Sequence, residues 1–292
     1  MTEFETSPPL VSIVTPSYNQ AQFIEETIQS VARQRYSNVE HIVVDGESDD
    51  GTLEILEAYD DEITWISEPD EGQSDAINKG FEMASGDIVG WLNSDDVYFD
   101  RGVLGRVVGY FDQFEADVVY GDMALLDADS NVLKLQVVPD FDYDRLLLKC
   151  FIEQPSLFFG GHVLEDERLD TDREYVMDYE FWLRLARDYE FRHVDDVLAG
   201  DRNHSERKIL DQRDAMQAEA EELRAEYGGP TGAELARRRK IDVVRSGVPR
   251  AMTAATRTIE CYWNTPDLAF DGALKSLPSM LRNISRPNRE LL

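Results

Sequence analysis

The stretch "GDIVGWLNSDDVYF", Gly86 to Phe99, runs an apolar segment straight into two adjacent carboxylates, Asp95 and Asp96. Hard cations such as Mg²⁺ and Mn²⁺ want oxygen ligands. They are often held by one or two protein carboxylates, with water and substrate phosphate oxygens completing the shell. Two aspartates just past a buried strand suit that task. The same dipeptide recurs at 49–50, 60–61 and 195–196, so position, more than composition, singles out Asp95-Asp96. Two other stretches carry polar groups to comparable places. In "TPSYNQ" (15–20), Pro16 fixes the chain as it leaves a strand, and Asn19 is placed to cap the next helix, whose N-terminus attracts anionic groups. A plain strand-to-helix turn explains Pro16 and Asn19 but not Thr15 and Tyr18. In "VVDGESDDGT" (43–52), Asp45 can accept from a base or ribose, and Gly46 and Gly51 permit tight turns. An acidic loop with Thr52 as helix cap accounts for those residues equally well.

The elements that must position these groups follow from hydrophobic period. "LVSIVT" (10–15), "VEHIVVD" (39–45), "ITWIS" (63–67) and "DIVGWLN" (87–93) read as strands. Helical spacing lies between them: Ile24, Ile28, Val31 and Ala32; then Leu53 and Leu56; then Ile77, Phe81 and Ala84, with Gly86 as the expected C-cap. This alternation implies an α/β fold with a mainly parallel sheet flanked by helices. In open α/β sheets ligands bind beyond the carboxyl ends of the strands. Thr15-Pro16, Asp45, Glu68-Pro69-Asp70 and Asn93-Ser94-Asp95-Asp96 all fall at that edge. Further on, a helix is expected at 100–114 with Asp100 as N-cap, a strand at "DVVYGD" (117–122), and a hairpin turning at Asp127–Asn131. That turn resembles a calcium loop only superficially, since Val138 stands where a bidentate glutamate is needed. Two more helices are expected at 178–188 and 205–226, the latter punctuated by Gly228-Gly229-Pro230.

The chain has 292 residues and a formal net charge of −30. Residues 237–292 hold 11 Lys+Arg against 5 Asp+Glu, while residues 1–236 hold 18 against 54. Self-repulsion of this size destabilises a compact chain in dilute buffer. At molar salt, where the Debye length is about 3 Å, it is screened. The expectation is therefore a salt-loving, archaeal-type host. An acidic body also argues against nucleic acid as partner. No apolar run is long enough to cross a membrane, and the first ten residues lack signal-peptide character, so a cytoplasmic location is expected. Cys150 and Cys261 read as packing residues.

Taken in order, the motifs TP-x-YN, VVD with S-x-DGT, "GQSDAINKG" (72–80) and "GDIVGWLNSDD" (86–96) resemble family 2 glycosyltransferases of the GT-A fold. The resemblance covers roughly residues 10–115. It implies that Thr15, Pro16, Tyr18 and Asn19 line a nucleotide pocket and that Asp45 faces the base or ribose. Gln73, Asp75 and Asp95 would lie near the nucleotide-sugar, and Asp96 would be the direct ligand of a divalent metal, Mg²⁺ or Mn²⁺. Gly46 departs from the family, many of whose members carry a second Asp there. The likeness continues more thinly. "MDYEFWLRLARD" (177–188) is similar to the family's segment whose Asp is the catalytic base, here Asp178, with Met177 replacing the common Glu. Asp178 also suits the N-cap of its helix. "DRNHSERK" (201–208) resembles an R-x-H-x-x-S stretch and implies His204 near the metal or diphosphate, although Ser205 follows the histidine directly. "EQPSLFF" (153–159) implies Gln154 near the acceptor cleft.

The implied reaction moves a sugar from a nucleoside-diphosphate sugar to an acceptor hydroxyl, with inversion. Asp178 as base favours a hydroxyl-bearing glycan or lipid-linked glycan over a bare phosphate, which needs no base. A nucleotidyltransferase and a non-catalytic nucleotide-sugar-binding relative are the alternatives. The former usually shows a glycine- and Lys/Arg-rich phosphate loop, and intact Asp96 and Asp178 speak against the latter. The expected organisation is a donor half (1–115), an acceptor half (116–230) and a basic, mostly helical extension (231–292). Residues 237–292 mix cations with Leu, Met, Val and Ile. Such a segment either lies on a membrane surface or packs on the acidic body through charge complementarity.

Overall fold

Consecutive side chains of a strand point to opposite faces, so a strand covered on both faces must be apolar throughout. The first strand, β1 (Val11–Ser17), is buried along its whole length: Val14 joins the core on one side of the sheet and Ile13 the core on the other, while its polar Ser12 and Thr15 are bonded to Glu40 and His41. In this computed structural model the described residues are 7–204, 212–264 and 267–284, with residues 243–250 and 284 described by backbone alone. After β1 the chain alternates α1 (Ile24–Ala32), β2 (Val39–Asp45), α2 (Thr52–Ala58), β3 (Thr64–Ser67), α3 (Gln73–Met83) and β4 (Ile88–Trp91). The four strands lie in the order β3-β2-β1-β4, all parallel. Their carboxyl ends therefore share one edge, as expected.

Past β4 the sheet becomes mixed. The following elements are β5 (Val97–Tyr98), α4 (Val103–Phe114), β6 (Val118–Leu126), β7 (Val132–Gln136), α5 (Tyr143–Leu146), β8 (Leu157–Gly160), α6 (Met177–Leu185) and β9 (Phe191–Arg202). The sheet continues β4-β8-β6-β9-β5, with β7 paired to β6. Here β8 runs antiparallel to both neighbours and β6 parallel to β9. The mainly parallel character thus belongs to the first half. The short β6–β7 turn can join only antiparallel strands. Three helices follow: α7 (Arg213–Glu226), α8 (Gly232–Asn264) and α9 (Leu277–Ile284). The expected helix start at 205–211 lies outside the described residues.

Several local expectations change. Helix α3 ends at Met83, and Gly86 lies beyond it on the approach to β4. A Cβ at Gly86 would sit 2.4 Å from Ser12 Oγ and 2.7 Å from Ser12 N, so the glycine serves a close backbone crossing, not a helix cap. Gly102, not Asp100, is the N-cap of α4. Asp100 instead accepts from Gly102 N–H at 2.7 Å and pairs with Arg106. Asp178 is the second residue of α6, whose cap position is Val176. Thr52 is the first residue of α2, and its N–H donates to Asp50 Oδ1 at 3.0 Å.

The basic extension packs on the acidic body among the described residues. Arg257 pairs with buried Asp122 at 2.8 Å and also with Asp195, and Lys275 lies 3.2 Å from Asp127. Phe270 and Met280 enter the core shared by β1, β5 and α4. Both cysteines are free and half-buried, packing against the two cores as read from the sequence.

Candidate active site

Two loops meet at the carboxyl ends of β1 and β2 and are sewn together by side chains. Asn19 adopts a left-handed backbone with φ of 53°. Its N–H donates to Ser48 Oγ at 2.8 Å, and its Oδ1 accepts from Asp49 N–H at 2.9 Å. Gln20 and Ala21 then donate their N–H groups to Thr52 and Asp50. Asn19 is therefore a clasp between loops, and α1 starts four residues after the loop, at Ile24. Asp45 is fully buried. Its carboxylate accepts from Ser48 N–H at 2.9 Å, Ser48 Oγ–H at 2.5 Å and Ser67 Oγ–H at 2.8 Å. It shapes the loop from behind. Thr15 and Pro16 are likewise buried within β1, with Thr15 Oγ1 2.9 Å from His41 Nε2. Burial holds His41 down to about 3, hence neutral. Pro16 costs no ladder bond: Val14 accepts from Leu92 on the β4 side, and Pro16 faces the same side beyond the end of β4. Of the four residues expected to line the pocket, Tyr18 stands out as a free surface, 63% exposed.

The absent second Asp has a structural counterpart. A Cβ on Gly46 would lie 2.5 Å from Asp70 Oδ2 and 3.4 Å from the Tyr18 ring. The Asp70 carboxyl, delivered from the end of β3, thus stands where a side chain at 46 would project.

At the end of β4 the polar groups form a chain. Asn93 Oδ1 accepts from Trp91 Nε1 at 2.9 Å and from Gln73 Nε2 at 3.0 Å. Gln154, on a short 3-10 turn (Gln154–Ser156), donates to the Trp91 carbonyl oxygen. Asp75 turns away to Lys79, 3.2 Å distant. Asp95 and Asp96 then diverge. Asp96 is 3% exposed, and its Oδ1 accepts from Arg202 N–H at 3.1 Å. Asp95 Oδ2 lies 2.9 Å from Nε2 of His204, whose ring is 8% exposed and rests on Phe23 at 4.6 Å between centroids. The Nδ1 atom of His204 is buried with no hydrogen-bond partner among the described residues.

This donor set fits a Mg²⁺ or Mn²⁺ ion. A carboxylate and an imidazole converge in Asp95 and His204, while the Asp96 carboxylate is held at the end of β9. Among the described residues no three His, Cys, Asp or Glu side chains group closely enough to hold an ion on their own. Such an ion would take its remaining ligands from diphosphate and water, the usual pattern for Mg²⁺.

Asp178 lies in the first turn of α6. Met177, in the place of the common Glu, receives Ser74 Oγ–H on its sulfur at 2.9 Å, docking α6 onto the first turn of α3 beside Gln73. Burial pushes the Asp178 carboxyl up to about 6, against the opposing N–H of Tyr179 at 2.7 Å. Glu153 was not anticipated. Burial, then the nearby carboxylate of Asp201, push it up to about 7, and Gln136 donates to it. Its only sequence signal is adjacency to Gln154. Arg202, also missed, is fully buried behind His204, two residues before it in "DRNH".

A family model described as Glycosyl transferase family 2 matches residues 12–163, just over half the chain. The chain belongs to glycosyltransferase family 2. It is 32% identical over 197 residues to an uncharacterized glycosyltransferase of Rickettsia typhi, covering 62% of this chain and 60% of that protein. A PGL/p-HBAD biosynthesis glycosyltransferase of Mycobacterium bovis is 31% identical over 156 residues, covering 52% and 59%. The chain thus spans less than two thirds of either relative's length. Among solved structures, S. aureus TarS in complex with UDP matches with a TM-score of 0.59 at 18% identity, over 85% of this chain and 70% of that one. Mannosyltransferase PcManGT from Pyrobaculum calidifontis, in complex with GDP-Man and Mn²⁺, matches with a TM-score of 0.60 at 17% identity, over 88% and 76%. These likenesses establish the fold, a GT-A-like α/β sheet with helices on both faces.

Proposed function

We propose that this family 2 chain is a metal-dependent, inverting glycosyltransferase that moves a sugar from a nucleoside-diphosphate sugar to an acceptor hydroxyl. The observation that carries the reading is the Asp95–His204 pair, set at the same strand edge as exposed Tyr18 and bridged by Asn93 and Gln73 to the helix that seats Asp178. Tyr18 offers its ring face to the base. Asp45, Asn19 and Ser48 hold the loops that flank it. Asp95 and His204, with Asp96 behind, would hold a divalent cation, which when bound supplies charge neutralisation to the departing diphosphate. Asp178 takes the acceptor proton. A base works best with its affinity near the operating pH, and the upward shift brings Asp178 closer to that point. Gln154 and Glu153 flank this cleft on the acceptor side.

The acceptor fits a glycan hydroxyl better than a phosphate, because an ionised phosphate needs no base. For location, no described helix is long and apolar enough to cross a membrane. Met252, Ile259 and Trp263 are exposed on α8, spaced seven and four residues apart, and so fall on one stripe. That stripe supports a peripheral contact with a membrane carrying a lipid-linked acceptor. Co-sedimentation with vesicles of anionic lipid, lost in Trp263→Ser, tests it; equal sedimentation of both proteins contradicts it.

The transferase reading is tested by incubating the chain with UDP-, GDP- and dTDP-sugars, Mn²⁺ and hydroxyl-bearing glycans, and measuring nucleoside diphosphate release. Release is expected with one nucleotide class and to fall in Asp178→Asn by about 10²–10⁴-fold, the usual worth of a positioned base. Equal release by the variant contradicts the assignment.

A further inference from the structure

A fully buried arginine stands behind the Asp95–His204 pair. Arg202 closes β9, and each part of it touches a different element. Its N–H holds Asp96 at 3.1 Å. Its Nη2 donates to Ser130 Oγ at 2.9 Å, in the β6–β7 turn, and to Glu26 of α1. Its Cζ lies 4.8 Å over the ring of Phe23, the same ring that carries His204. Burying an unpaired charge is costly, so an arginine with no exposed surface requires these partners. Yet Nε and Nη1 find no hydrogen-bond acceptor among the described residues. The guanidinium is thus retained although only part of its donor capacity is used. Filling space alone would call for an apolar side chain.

The network continues outward. Glu26 Oε2 also accepts from Ser130 Oγ–H at 2.5 Å, and Glu26 Oε1 accepts from Asp271 N–H at 3.0 Å. Asp271 lies in a strap between α8 and α9. That strap is fastened by Asp271 to Arg33 at 3.0 Å, by the Ala273 carbonyl to Val132 N–H at 2.9 Å, and by Lys275 to Asp127. Gly272 is pressed so close that a Cβ there would lie 2.0 Å from the Ser130 carbonyl oxygen.

We propose that Arg202 is a positioning residue for the cation-binding pair, and that the C-terminal strap of residues 267–275 sets it through Glu26. The extension then acts on the donor site through this network. The inference rests on the donor-site reading above. In it, the strap holds Glu26 and the Ser130 turn, these hold the guanidinium, and the guanidinium fixes the end of β9, whose backbone N–H holds Asp96 and from which His204 is presented.

The test is Mn²⁺ binding, read from the free-ion electron paramagnetic resonance signal, with UDP and with GDP, in molar KCl. Wild type is compared with Arg202→Lys, Glu26→Gln and Gly272→Ala, and with Arg184→Lys as a control. Arg184 is ion-paired to Glu180 and Glu167, none of which belongs to this network, so its variant reports on stability alone. Melting temperatures are recorded for all. The expected result is Mn²⁺ affinity at least tenfold weaker in Arg202→Lys and Glu26→Gln, and several-fold weaker in Gly272→Ala. Arg184→Lys lowers the melting temperature and leaves the affinity unchanged. If the three network variants melt lower but bind Mn²⁺ as wild type does, Arg202 is only structural and the inference is overturned. If Arg202→Lys does not fold, Glu26→Gln and Gly272→Ala decide alone. Wild type that binds Mn²⁺ with neither nucleotide overturns the donor-site reading itself.

Discussion

Asp95 Oδ2 and His204 Nε2 lie 2.9 Å apart although 109 residues separate them in the chain. The contact exists because β4 and β9 end at the same edge of one sheet, although β8 and β6 lie between them. It joins the acidic turn to the residue two beyond the end of β9. Neither residue is expected to be replaceable: His204→Ala leaves Asp95 without its partner and Asp95→Asn removes the charge. Each should weaken metal-dependent nucleotide binding by tenfold or more, measured by calorimetry. Retention of full affinity in both would show the pair to be a structural ion contact.

Asp178 gives transfer a pH signature. A carboxyl raised to about 6 is protonated and inactive as a base below that pH. The rate should therefore fall as pH drops through about 6 and level off above it. A flat profile between pH 5 and 8 would remove the base from Asp178.

The same shift has a stability consequence with a fixed sign. A carboxyl whose folded pKa exceeds its unfolded value favours folding most when protonated. That contribution is fully present below the unfolded value of 3.8 and is lost as pH rises through about 6. Asp178→Asn should accordingly melt higher than wild type at pH 8 and alike near pH 4. A variant that melts lower at pH 8 would mark Asp178 as a structural residue.

Helix α3 lies on β1 with no room to spare. A Cβ on Gly80 would fall 2.3 Å from Val14 Cγ1, inside the core beneath the donor loops. Gly80→Ala should cost about 1–3 kcal/mol through overpacking, despite the better helix propensity of alanine. Chemical denaturation measures it, and an unchanged or raised midpoint would contradict the packing described.

Formal charge predicts a salt response. At −30, a fold stabilised by screening should melt markedly higher in molar KCl than in dilute buffer. Equal melting in both would end the salt-loving interpretation.

What could be read from residues alone divides cleanly. Strands β1 to β4 were visible within a residue or two: β1, β2 and β4 are largely buried and rich in Val and Ile, and β3, at the edge of the sheet, keeps the β-prone Thr64-Trp65-Ile66. Their shared edge followed from the alternation with helices. The mixed half was not legible. The pairing of β8 with both β4 and β6 depends on contacts between segments far apart in the chain, on which local periodicity is silent. Caps failed for a related reason: Asp100 and Asn19 satisfy neighbouring loops and an arginine, and only tertiary geometry reveals that. In the candidate site, residue types pointed to the strand edge at which these side chains lie but not to the depth of each one. Thr15, Pro16 and Asp45 are buried supports, whereas Tyr18 is open. Asp95, more than Asp96, faces His204. Arg202 and Glu153 went unnoticed because a lone arginine or glutamate in a chain this charged carries no signal until its burial is known.

The most direct measurement is a thermal-shift panel in molar KCl with UDP-, GDP- and dTDP-sugars, each with Mn²⁺ or chelator, on wild type and Asp95→Asn. Stabilisation by one nucleotide class, present with Mn²⁺, absent with chelator and absent in the variant, is the predicted result. Equal shifts with chelator, or no shift with any donor, would contradict a cation-dependent nucleotide-sugar site at Asp95 and His204.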